Sequence, residues 1–301
     1  METTSAENIL QKTSAKIRFQ TVASLLGKEA DFPYAIVKGE VLSCQAYGKP
    51  GCRWTTDVDI LISRKHIGNL EKLLRDNGFE SKKLTREEQL ISLAFSHQVP
   101  LFHKTTPLSI VTVDINYDIM WGEWSGKRIC VEEMLERRQT LSIYNIAVPV
   151  LQVQDSFFQL CLHHYKDMNS LYHLCQGNTI KEQSFRDVAF FWQTQQKELD
   201  IEALYERIAA YHLEPYFYYV LYGANIVCPD SGVQKALQRL KTPEGERLLN
   251  CFGLNEKERK EWPIPFEERI GSSKIGEILA GLLSKEDEEK VKQNIAIFGG
   301  V

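Results

Sequence analysis

Residues 55–62, Thr-Thr-Asp-Val-Asp-Ile-Leu-Ile, constrain this chain more than any other stretch. Apolar, β-favouring residues surround two acids at Asp57 and Asp59. Side chains alternate on a strand, so both carboxylates leave one face, roughly 6.5 Å apart, while Val58, Ile60 and Ile62 enter a core. Two like charges so close repel unless a cation sits between them. Hard divalent ions take oxygen ligands, and Mg²⁺ is commonly held by one or two carboxylates together with substrate phosphates.

A second run, Ile110 to Met120, alternates strictly. Val111, Val113, Ile115, Tyr117 and Ile119 form one face; Thr112, Asp114, Asn116 and Asp118 form the other. This is the period of a half-buried strand. If it lies beside the first run, Asp114 completes a three-carboxylate site. Such a site suits two metals clamping the attacking and leaving oxygens of a phosphoryl displacement. Asn116 and Asp118 are equally well read as ordinary polar residues on the exposed face.

Upstream, Tyr34 to Val37 is a short β-like run ending at Lys38-Gly39, and Arg53 precedes the acids. In order, apolar-Lys-Gly, Arg, Asp-x-Asp and a later strand acid resemble the DNA polymerase β-type nucleotidyltransferase superfamily. Within it they are most similar to poorly characterised bacterial nucleotidyltransferases. The segment from His97 to His103 and the stretch Leu160-Cys161-Leu162-His163-His164 also resemble that family, over roughly residues 33 to 195. The resemblance implies an α+β fold: a small mixed sheet with flanking helices, then a mostly helical domain. It implies Asp57, Asp59 and Asp114 as catalytic metal ligands for Mg²⁺ or Mn²⁺, and Lys38, Gly39 and Arg53 as nucleotide contacts. Two departures stand out. The superfamily's Gly-Ser or Gly-Gly pair is Gly39-Glu40 here, which removes a hydroxyl for phosphate unless Ser43, one turn on, replaces it. Asp114-Ile115-Asn116 keeps the acid and lacks the imidazole that relatives carry.

The remaining chain divides near residue 150. Residues 1–150 read as the catalytic domain. They comprise an amphipathic helix over 8–26, helices over 65–77 and 86–95, strands over 99–102 and 109–119, and a β-like run over 141–150 ended by Pro149. Gly48-Lys49-Pro50-Gly51 signals a turn, and Trp121-Gly122-Glu123-Trp124 a packed turn. Residues 151–301 read as helical, with helices over 151–172, 185–192, 201–213, 215–227, 274–283 and 287–297. The stretch 255–268 reads as a connector or surface loop. His163 and Lys166 share a helix face and are candidate nucleotide contacts; the histidine spacing does not suit zinc.

The chain has 301 residues, 43% hydrophobic and 25% charged, and a net charge of −4. That balance gives a real core and disfavours an extended nucleic-acid surface. No apolar run reaches 18 residues, so no membrane span is expected, and the acidic, polar N-terminus lacks a signal-peptide pattern. Seven scattered cysteines without Cys-x-x-Cys read as reduced thiols in the cytoplasm. The expected function is metal-dependent transfer of NMP from a nucleoside triphosphate such as ATP to a hydroxyl or phosphate of a small-molecule acceptor, with release of pyrophosphate. Two alternatives are a catalytically weak nucleotide-binding or partner-binding relative, and a protein- or RNA-modifying nucleotidyltransferase.

Overall fold

The computed structural model describes residues 5–120, 128–176 and 180–298. The Trp121–Trp124 turn lies outside them. Contacts divide the chain into two compact units that part between Ser156 and Phe157.

The first unit is a six-stranded mixed sheet with helices. Helix α1 (Ser5–Glu29) buries Ala15, Phe19, Val22, Ala23 and Leu26, the spacing of one helix face. Strand β1 (Tyr34–Val37) leads into α2 (Gly39–Tyr47), and β2 (Val58–Ile62) follows. Helices α3 (Ile67–Asp76) and α4 (Arg86–Phe95) come next, then strands β3 (Phe102–Thr105) and β4 (Ile110–Asn116). Helix α5 (Val131–Glu136) precedes β5 (Gln139–Ile143) and β6 (Ile146–Val150). Across the sheet the order is β3-β4-β2-β1-β6-β5.

In β4 the alternation read in the sequence is largely the alternation of burial, whereas all five residues of β2 are buried, Asp59 included. Val58, Ile60, Ile62, Val111, Val113 and Ile115 are buried in one core with Phe19 and Val22 of α1 and Leu70 and Leu74 of α3. Each such side chain contributes about 1.5–3 kcal/mol. That commits the opposite sheet face to Asp59 and Asp114. Local signals set the helix ends. Thr85 and Glu88 form a capping box that starts α4. Gly78, at φ 78°, stops α3, where the Phe79 N–H reaches the Leu74 carbonyl at 3.0 Å.

The run 141–150 is a hairpin, not one strand. Tyr144 and Asn145 both take positive φ, 51° and 65°, the backbone of a tight type I′ turn, and Pro149 lies within β6 opposite Thr140. The strand expected at 99–102 begins only at Phe102.

The second unit is mainly helical. It contains most of α6 (Val153–Asn169), then α7 (Leu171–Cys175), α8 (Glu182–Gln195), α9 (Ile201–Ala210), α10 (Glu214–Val227), α11 (Ser231–Leu240) and α12 (Pro243–Leu248). A two-stranded ribbon, β7 (Cys251–Phe252) with β8 (Lys260–Glu261), precedes α13 (Phe266–Arg269), α14 (Ile275–Ala280) and α15 (Lys285–Phe298). Phe157, Phe158, Phe185, Phe191, Trp192 and Phe217 fill its core. The single helix expected over 151–172 breaks at Ser170, the N-cap of α7. The stretch 255–268 is not a simple surface loop. Trp262 and Phe266 are buried, and Trp262 packs on Phe252 with ring centroids 4.5 Å apart. Among the described residues no helix is long and apolar enough to cross a membrane.

Candidate active site

Strands β2 and β4 run parallel and adjacent, with Asp59 directly opposite Asp114. Neighbouring strands lie about 4.8 Å apart, so the two carboxylates leave the same face side by side. Asp57 sits one residue ahead of β2, in the turn that enters it. Burial, and then the Asp59 charge, push the Asp57 carboxyl up to about 6, against the pull of Lys38 and Arg53.

Lys38 joins β1 to α2 at φ 54° and ψ −149°, a backbone region that costs a non-glycine residue about 1–3 kcal/mol. The contortion has a use: it delivers the ammonium to Asp59, with Nζ donating to Oδ1 at 2.6 Å. Asn116 Nδ2 donates to the same oxygen at 3.3 Å. Gly39 also has positive φ, 42°. A Cβ there would meet Thr55 Cγ2 at 3.7 Å and the Asp57 carbonyl at 3.8 Å, which is ordinary contact. Within the protein itself, the demand for glycine at 39 is therefore conformational.

Glu40 and Ser43 shape the loop that carries Arg53. Glu40 is 3% exposed. Its Oε2 accepts from the Gly51 N–H at 2.7 Å and from the Tyr144 hydroxyl at 3.1 Å, while Oε1 is buried with no hydrogen-bond partner among the described residues. Burial raises its pKa, opposed by those two bonds and by the charge of Arg18. Ser43, expected as a substitute phosphate contact, is fully buried. Its hydroxyl donates to the Lys49 carbonyl at 2.9 Å and accepts from the Cys52 N–H at 2.8 Å. Both capacities are taken by the loop, which leaves that hydroxyl no bond to offer a phosphate.

Three residues of this site escaped the sequence reading. Arg18 Nη2 donates to the Thr55 carbonyl at 2.6 Å, and its charge acts on both Asp57 and Glu40. Its sequence signal is a cation set beside the apolar stripe of α1. Asn116 fixes Asp59 through the bond to Oδ1. Thr112 Oγ1 donates to the Thr56 carbonyl at 2.6 Å, which ties the approach to Asp57 onto β4. Asp118, on the polar face of the same run, has a different role. It accepts from the N–H groups of Ile119 and Met120 and from Arg128 at 2.8 Å.

His163 and Lys166 belong to the second unit. His163 Nε2 and Lys166 Nζ each lie 3.2 Å from a carboxylate oxygen of Asp167. All seven cysteines are free thiols.

Among the described residues, no three His, Cys, Asp or Glu side chains converge closely enough to hold a metal ion as placed; the cation at Asp59 is Lys38. The donor chemistry nevertheless suits a hard divalent ion, since Asp59 and Asp114 are paired in register and Asp57 lies just ahead of β2.

Residues 1–229 match the model of a protein family described as uncharacterised nucleotidyltransferase. The chain is also similar to an antigenic nucleotidyltransferase-like protein from Paracoccidioides brasiliensis, with 18% identity, a TM-score of 0.40, and coverage of 76% of this chain and 94% of that one. No curated protein matches the sequence.

Proposed function

Because the chain belongs to the family of uncharacterised nucleotidyltransferases, we propose that it moves NMP from a nucleoside triphosphate to a hydroxyl or phosphate of a small-molecule acceptor. The observation that carries this reading is the in-register pairing of Asp59 with Asp114, with Asp57 at the same sheet end. Asp57, Asp59 and Asp114 would hold Mg²⁺ or Mn²⁺, which would neutralise phosphate charge and make the acceptor hydroxyl more acidic.

The chain's own groups supply the rest. Lys38 and Arg53 bring positive charge to the triphosphate, where charge-assisted hydrogen bonds are strongest. Asp114 takes the proton of the acceptor hydroxyl. The acceptor oxygen bonds to the α-phosphorus, the bond from that phosphorus to the bridging oxygen breaks, and pyrophosphate leaves with the electron pair. Catalysis of this type rests on positioning and electrostatic stabilisation. The bonds from Lys38 and Asn116 to Asp59 and from Thr112 to the Thr56 carbonyl supply the positioning.

The decisive experiment titrates ATP, GTP, CTP and UTP calorimetrically with and without Mg²⁺ in wild type and Asp57→Asn/Asp59→Asn, then follows pyrophosphate release with candidate acceptors. Metal-dependent binding, lost in the variant along with about a hundredfold or more of turnover, is expected. Unchanged turnover in the variant would remove the carboxylates from the chemistry. One observation favours a second reading, nucleotide binding without transfer: the Lys38 ammonium occupies Asp59 at 2.6 Å. Metal-dependent binding with no pyrophosphate release for any acceptor would select it.

A further inference from the structure

The loop between α2 and β2 carries an indole in the open. Trp54 is 67% exposed. Single exposed apolar side chains are common on protein surfaces, so exposure alone assigns nothing. Three other observations bear on this one.

The backbone around Trp54 is fixed on both sides. Before it, the Gly51 and Cys52 N–H groups are given to Glu40 and Ser43. After it, the Thr55 carbonyl is held by Arg18. The indole also borders a cavity of about 160 Å³, whose lining includes Gln11, Lys12 and Ala15 of α1 and Cys52 and Arg53 of the loop. The cavity is partly open to solvent and lined mainly by polar groups. Finally, Trp54 precedes Asp57 by three residues, a reach of at most about 11 Å.

We propose that this cavity receives the base of the nucleoside triphosphate, stacked on the Trp54 indole, with sugar and phosphates running past Arg53 toward Asp57. This rests on the nucleotidyltransferase reading above and adds a base subsite to it. Every base has a π-face, so stacking on an aromatic side chain tolerates all four. The Gln11 amide provides one donor and one acceptor for a base edge, and Lys12 provides a further donor. Because the loop is already ordered, little stacking energy is lost to ordering it on binding.

The test titrates ATP, GTP, CTP, UTP and inorganic tripolyphosphate, each with Mg²⁺, into wild type, Trp54→Ala and Trp54→Phe. Heat and tryptophan fluorescence are both followed. The expected result is about tenfold weaker nucleotide binding in Trp54→Ala, loss of the nucleotide-induced quench, unchanged tripolyphosphate binding, and recovery of most affinity in Trp54→Phe. Nucleotide affinity equal to wild type in Trp54→Ala would overturn the proposal. So would a parallel loss of tripolyphosphate binding, which would make the indole a structural element. If wild type binds tripolyphosphate as tightly as any nucleotide, the base subsite falls and the phosphate site stands. If it binds neither, the nucleotidyltransferase reading falls and the subsite with it.

Discussion

Asp57 holds its proton more tightly than a surface aspartate because burial and Asp59 disfavour its charge. A carboxyl whose folded pKa is raised is stabilised in its protonated form. Its contribution is full below about pH 4 and is lost as the pH rises through about 6. A rise of that size corresponds to roughly 2–3 kcal/mol. The protein without added metal is therefore expected to lose stability across this window, and Asp57→Asn to flatten the loss and melt higher at pH 7. Thermal melts between pH 4 and 8 in EDTA check it; a variant that tracks wild type would show that Asp57 is not under this tension. The single variant also serves as a control for turnover: if Asp57→Asn is at least as stable as wild type, any activity it loses is lost for chemical reasons. At this scale the acids themselves were legible, because a carboxylate in an apolar alternating run stands out. The cations and amides that fix them were not. Arg18 lies 39 residues before Asp57, and only packing brings its guanidinium to the Thr55 carbonyl.

The loop between α2 and β2 shows what one buried carboxylate does to an element. Glu40 ties Gly51 to the tip of the β5–β6 hairpin. Tyr144→Phe removes one of the two bonds to Oε2 and is expected to cost about 1 kcal/mol in urea unfolding. Glu40→Ala strands the Gly51 N–H and the Tyr144 hydroxyl and is expected to cost more, about 1–3 kcal/mol. Equal stability of Glu40→Ala and wild type would mean that the loop holds itself. Strand β4 was legible because one buried face imposes a period of two, and β2, buried on both faces, as a short apolar run around an acid. The hairpin was not, since Tyr144-Asn145 lacks the Asn-Gly signature and the run reads as continuously β-like. Which strand pairs with which, and so the register of Asp59 against Asp114, is a tertiary fact that no single-strand pattern contains.

At the scale of the whole molecule, each unit has its own core, and their sensitivities should separate. In the second unit, α10 crosses α8 at Gly223, where an added Cβ would fall 2.2 Å from the Phe185 ring. Gly223→Ala is expected to cost about 3 kcal/mol by overpacking. Hydrogen exchange should show the loss in α8 and α10, with the amides of β2 and β4 keeping their protection; uniform loss would mean that the units unfold as one. The second unit was read as helical from its apolar spacing. Its break at Ser170, and the burial of Trp262 and Phe266, depend on contacts with residues distant in the chain. The hydrogen bond from Tyr144 to Glu40 spans 104 positions. During synthesis the acids at 57 and 59 therefore emerge long before the phenol that completes the clasp on their neighbouring loop. Until the hairpin arrives, the loop beside those acids lacks the hydroxyl that closes its clasp on Glu40.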